Sequence, residues 1–88
     1  MREVWKFEVD NGMNYFDVPS GCKCLTAKRQ KESFCVWVEV NPNEIKREQL
    51  CIEVVMTGES FPIARREYIG TELFANGNFV LHAYRRIL

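Results

Sequence analysis

The stretch Phe34-Cys35-Val36-Trp37-Val38-Glu39-Val40, closed at once by Asn41-Pro42, constrains the fold more than any other part of this sequence. Six of its seven residues are apolar, aromatic or cysteine. In an extended chain Phe34, Val36, Val38 and Val40 share one face, and Cys35, Trp37 and Glu39 share the other. A short run with bulk on both faces reads as a central β-strand covered from both sides. Asn-Pro then ends the pairing, because proline lacks the N–H that a ladder needs.

The flanking segments alternate in the same way. Residues 3–10 place Trp5, Phe7 and Val9 on one face and Lys6, Glu8 and Asp10 on the other. Asn11-Gly12 is a hairpin signal, since both residues tolerate positive φ, so 3–10 and 13–18 are expected to pair as a hairpin. Residues 22–29 form a weaker strand, with Leu25 and Ala27 on one side and Thr26 and Lys28 on the other. The polar run 29–33 turns the chain into 34–40. Asn41 as cap, Pro42 at the first position and Glu44 three residues after the cap allow a single helical turn. Residues 49–56, with Leu50, Ile52, Val54 and Met56 on one face, are expected to pair antiparallel with 34–40, the connection being too short for a parallel crossover. Strands over 67–75 and 78–86 are joined by a second hairpin signal, Asn76-Gly77, with Phe79, Leu81 and Ala83 facing away from Val80, His82 and Tyr84. The sum is a mainly β chain, a single domain over residues 1–88: a compact antiparallel barrel or sandwich of about seven short strands.

Composition narrows the function classes. Eighty-eight residues suffice for one core, and 47% apolar with 27% charged residues is ordinary for a globular chain. Twelve basic residues balance twelve acidic ones, so no long-range field draws in nucleic acid or an anionic membrane. The N-terminal Met1-Arg2-Glu3-Val4-Trp5-Lys6 is unlike a secretory leader, and no stretch approaches the roughly 20 apolar residues of a membrane span. A cytoplasmic location follows as the expectation, with Cys22, Cys24, Cys35 and Cys51 as free thiols. Their spacing is not that of a zinc site, and one histidine adds little to it, so neither metal nor cofactor is expected.

Several local patterns coincide with a known group. Val4-Trp5-Lys6, Val18-Pro19-x-Gly21, Cys35-x-Trp37-x-x-Val40-Asn41-Pro42, Thr57-Gly58-x-x-x-Pro62, Glu67-Tyr68-Ile69-Gly70-Thr71 and Phe79-Val80-x-His82-x-Tyr84 together resemble a group of small phage and bacterial proteins known as a domain of unknown function. The match spans nearly the whole chain in short motifs. It departs at Glu59, where relatives often place histidine, and at Arg65-Arg66 and Arg85-Arg86, where they are often acidic. The resemblance implies a small phage-associated β-protein and carries no catalytic residues; with it, the cytoplasmic expectation becomes the host bacterial cytosol.

Thr57, Gly58, Glu59 and Ser60 could present N–H groups and hydroxyls to an anion, with Arg65 and Arg66 adding fork-shaped donors. The plainer account of that segment is a strand-ending loop in which Gly58 supplies a permitted backbone conformation. His82, beside Val80 and Tyr84, reads first as a hydrogen-bonded structural residue; as a base it would need Cys35 or Cys51 assembled against it. Lys28, Arg29 and Lys31 at a hairpin tip, or Arg85-Arg86 near Tyr15 and Tyr84, could hold a nucleotide, but charged tips more often keep edge strands solvated. Ile87 and Leu88 either fold back on the core or dock on another subunit.

The expected function is a non-enzymatic, phage-associated binding protein. It would inhibit a bacterial host defence by binding a host protein or by sequestering a small anionic nucleotide signal at Thr57, Gly58, Glu59, Ser60, Arg65, Arg66 and His82. The alternative is a structural or assembly protein forming a symmetric homo-oligomer through edge strands and the C-terminus.

Overall fold

Alternating burial along one strand decides the layering. In the computed structural model, which describes residues 1–87, Phe34, Val36, Val38 and Val40 are all buried on the inner face of β4 (Ser33–Val40). Leu50, Ile52 and Val54 are likewise buried on the inner face of β5 (Arg47–Met56). β4 is the middle strand of a three-stranded sheet, between β1 (Glu3–Val9) and β3 (Lys23–Gln30). β5 lies in a four-stranded sheet ordered β2 (Gly12–Pro19), β5, β7 (Phe79–Arg86), β6 (Arg66–Phe74). Every pairing is antiparallel. The sheets stack as a compact sandwich and do not close into a barrel.

Two expected pairings are therefore corrected. β4 and β5 do not pair: both edges of β4 are taken by β1 and β3, and the apolar faces of β4 and β5 meet within one core cluster instead. Residues 41–46 step between the layers. They contain a turn, closed by the Glu44 N–H on the Asn41 carbonyl and by the Asn43 N–H on Asn41 Oδ1, and it does not propagate into a helix. β1 and β2 do not form a hairpin either, since β1 pairs with β4 and β2 with β5. Gly12 at φ 102° turns a corner from one sheet into the other. Asn14 pins that corner, its Oδ1 accepting the Asp10 N–H at 2.9 Å and its Nδ2 donating to the Asp10 carbonyl at 2.8 Å. Asn11-Gly12 thus supplies the positive φ of a tight turn, but the apolar faces on either side of it belong to opposite layers.

β3 and β4 do form a hairpin, with Gln30 opposite Ser33 and Lys31 at φ 55°. A bulge between Cys24 and Thr26 shifts the expected faces of β3, so that Leu25 is exposed while Ala27 is buried. The β6–β7 hairpin forms as expected, with a 3-10 turn at Ala75–Gly77 and Phe74 opposite Phe79. The outer face of β4 carries no second layer among the described residues. Long side chains cover it, the Lys6 ammonium reaching Gln30 Oε1 from β1 to β3 and Arg2 Nε reaching Glu39 Oε2 at 2.6 Å.

Aromatic contacts join the layers. Phe7 stacks on Phe16 at 4.4 Å, and Phe34 meets Phe74 edge to face at 5.8 Å. On the β3–β6 side the backbones themselves approach: a Cβ placed on Gly70 would lie 2.5 Å from the Ala27 carbonyl oxygen. That neighbour is backbone and cannot rotate away, so only glycine permits this contact. Gly70→Ala is expected to destabilise the fold by about 1–3 kcal/mol, the usual range for overpacking, as measured by chemical denaturation. Wild-type stability in that variant would show that β3 and β6 are free to separate.

Candidate functional site

The outer face of the four-stranded sheet concentrates the chemistry of this chain. Register puts Met13, Glu53, Tyr84 and Tyr68 in one row across all four strands, with Val55, His82 and Thr71 in a neighbouring row. From Leu50 to Met56 β5 is apolar on both faces except for Glu53, which is buried on this outer face. An ionised carboxylate in such a place needs compensation. Arg66 Nε supplies it at 2.6 Å from Glu53 Oε1, and Arg86 Nη1 lies 3.6 Å from the same oxygen. Arg66 Nη1 also donates to the Ala64 carbonyl at 3.3 Å. Phe61 closes over the group, the Arg66 guanidinium carbon lying 4.7 Å from its ring centroid. Phe61 continues into Tyr84 at 6.1 Å, and Tyr84 into Tyr68 at 5.6 Å.

Beside this cluster runs a chain of hydroxyls through the imidazole. Thr57 Oγ1 lies 2.7 Å from His82 Nε2, Thr71 Oγ1 lies 2.9 Å from His82 Nδ1, and the Tyr68 hydroxyl bonds Thr71 Oγ1. Two directions of donation satisfy every member. The Tyr68 hydroxyl can donate to Thr71, Thr71 to Nδ1 and Nε2–H to Thr57; or each bond reverses with the other tautomer.

Of the residues singled out from sequence, Thr57, Arg66 and His82 converge on this face. The others do not. Gly58, at φ 90°, shapes the turn in which the Glu59 N–H donates to the Met56 carbonyl at 2.9 Å. Glu59 folds back on the same turn, its Oε1 accepting the Met56 N–H at 2.9 Å and Asn11 Nδ2 at 3.1 Å. Ser60 and Arg65 have exposed side chains, and the Arg65 carbonyl accepts the Ile87 N–H at 3.0 Å. The expectation for Leu88 lies outside the described residues. Arg86 and Tyr84, which the sequence offered as a separate nucleotide-holding pair, join this site, and Glu53, Phe61, Tyr68 and Thr71 complete it without having been singled out from sequence. Glu53 had a legible signal, as the lone carboxylate inside Leu50–Met56.

The cysteines are free thiols placed elsewhere. Cys35 is in the other sheet, and Cys51 lies four residues along β5 from the His82 partner Val55, roughly 13 Å at strand rise. No cysteine–histidine pair is therefore assembled. Burial pushes all four thiols above their ordinary range, Cys24 to about 11 despite the opposing charge of Arg85. At the end of the sandwich Arg85 bonds Glu48 at 2.6 Å and the Cys22 carbonyl at 3.1 Å. A groove of about 400 Å³ opens there, lined by Glu48, Gln49, Arg85, Arg86 and Ile87. No helix among the described residues is long and apolar enough to cross a membrane.

Fold and site together define a small two-sheet antiparallel β-sandwich with a charged, aromatic outer face. The chain belongs to the family described as a domain of unknown function (DUF7352), which matches residues 1–87. No curated protein and no solved structure matches it.

Two measurements test the electrostatics. Glu53→Gln leaves two guanidinium groups without their carboxylate, and is expected to cost about 3–5 kcal/mol of stability in denaturant unfolding. A cost under about 1 kcal/mol would mean that Glu53 does not hold them. The Met56 N–H and then Asn11 hold the Glu59 carboxyl below its ordinary 4.5. Its contribution is therefore present above pH 4.5 and lost as pH falls through the lower folded value. The stability gap between wild type and Glu59→Gln is expected to narrow on acidification below pH 4.5, and a gap that widens there would contradict the assignment.

Proposed function

We propose that this chain is a phage-associated, non-enzymatic binding protein whose partner seats on the outer face of the four-stranded sheet. The observation that carries the reading is the exposure of large apolar and aromatic side chains there. Tyr68 is 58% and Leu73 55% exposed, with Tyr15, Met13 and Phe61 also open. They surround charged and hydroxyl groups that are already fixed by one another. A rigid polar centre ringed by accessible aromatics suits binding, since aromatic anchors contribute most where a preorganised surface surrounds them. The desolvated thiols and the doubly bonded imidazole favour binding over nucleophilic chemistry.

The phage association rests on the resemblance carried by Cys35-x-Trp37, Thr57-Gly58 and Glu67-Tyr68-Ile69-Gly70-Thr71. Within it, inhibition of a bacterial host defence, by occupying a host protein in the host cytosol or by sequestering a nucleotide signal, is the most concrete form. A second reading, assembly into a symmetric homo-oligomer, draws on β1 and β2, each of which ends a sheet with one side unpaired.

The test compares wild type with a Tyr68→Ser/Leu73→Ser double variant in pull-downs from host lysate, with folding checked by melting. A host protein retained by wild type and lost from the folded variant is expected. Equal capture by both would remove this face as the binding surface. Light scattering separates the second reading, which requires an oligomer that forms without any host factor.

A further inference from the structure

The Glu53 cluster is unbalanced. Two guanidinium groups share one carboxylate, and the side chains of Arg66, Glu53 and Arg86 are only 8%, 9% and 23% exposed. One positive charge is thus in excess where water screens it poorly. Hydrogen bonding is also incomplete: Arg66 Nη2 and Arg86 Nε are buried with no partner. Guanidinium N–H groups out of water are rarely left unmatched, because each carries the full cost of its lost hydration. Both orphans belong to guanidinium groups that address the same Glu53 oxygen from two neighbouring strands, where Arg66 is paired with Arg86.

We propose that Arg66 and Arg86 form a receiving site for one oxyanion, a phosphate or carboxylate, carried on a small ligand with a flat ring. The anion cancels the excess charge and accepts the two unmatched N–H groups as charge-assisted bonds. Entry is from the side of Arg86, which lines the open groove of about 400 Å³. Phe61 stands over Arg66 on a segment without strand partners, so turning its side chain uncovers Nη2. The ring attached to the anion then stacks on Phe61 or the exposed Tyr68, in line with Tyr84. Glu53 remains in place and orients both arginines, so the site accepts a single anionic group. The inference rests on the reading of this face as the binding face and specifies the chemistry it takes.

Calorimetric titration and thermal melting of the full chain test it, with inorganic phosphate and adenosine 5′-monophosphate as probes and chloride at matched ionic strength as reference. Both probes are expected to raise the melting temperature saturably beyond chloride, with the nucleotide about tenfold tighter through stacking. Arg86→Gln, at the more open side of the cluster, is expected to weaken both by at least about tenfold. Arg47→Gln, whose guanidinium is tied to Asp17 away from the site, is expected to bind as wild type. Responses no larger than those to chloride, or equal binding by Arg86→Gln and wild type, would overturn the site. A nucleotide no tighter than phosphate would overturn the ring-bearing ligand. Host-protein capture that depends on Tyr68 and Leu73 while phosphate has no effect would sink this inference and leave the binding face standing.

Discussion

The inward side chains of β4 and β5 are almost wholly excluded from water, yet the two strands lie in different sheets and share no ladder. Their burial is completed only by stacking one layer on the other, each large aliphatic side chain contributing about 1.5–3 kcal/mol. The remaining architecture serves that stacking. The chain turns a corner at Gly12 so that β1 and β2 fall in opposite layers, and residues 41–46 carry it across a second time. Phe7 on Phe16 fills the β1–β2 side, and Gly70 lets the backbones of β3 and β6 meet on the other. The outer faces are left to other uses.

Those outer faces differ in kind. The three-stranded sheet is covered by long charged side chains, as Lys6 reaching Gln30 across β4 and Arg2 reaching Glu39 show. The four-stranded sheet buries charge. Because Glu53 sits among apolar neighbours, two arginines are drawn inward, and aromatic rings gather over them where the water has been removed. Side chains there are held by several partners each: His82 by threonines on two sides, and Arg66 by a carboxylate, a carbonyl and a ring, with its Nη2 left over. A surface whose hydrogen-bonded groups are fixed in advance, with Phe61 alone left to turn, is well suited to recognition.

Much of the strand content could be read from residue alternation. Phe34–Val40, Leu50–Val54 and Phe79–Tyr84 each show their inner and outer faces in sequence, and Asn76-Gly77 marks its hairpin correctly. Pairing was harder to read, because a turn signal specifies local backbone angles and not the layer in which the next strand lies. Asn11-Gly12 therefore looks like a hairpin and acts as a corner. The bulge at Leu25 was hidden for a similar reason, since one unpaired residue reverses the faces without changing composition. At the site, Thr57, Arg66 and His82 stood out by residue type. Arg86 stood out only as part of a basic end, and Thr71 not at all, because their places in the site depend on cross-strand register, which links Thr71 to His82 and Arg66 to Arg86.

The corner at Gly12 also governs the order in which the chain can assemble. β1 has no local partner: its register with β4 joins Glu3 to Val40, and β2 similarly waits for β5, where Gly12 meets Val54. A nascent chain emerging from the ribosome thus presents two unpaired amphipathic strands, bearing Trp5, Phe7 and Phe16, before either partner has been synthesised. The β3–β4 hairpin is the first unit able to form from neighbours alone, and it provides the template on which β1 docks. Long loop closures of this kind slow folding relative to a meander of the same length. The N-terminal third of the chain is accordingly its most aggregation-exposed part during synthesis, while in the finished fold it forms the edges of both sheets.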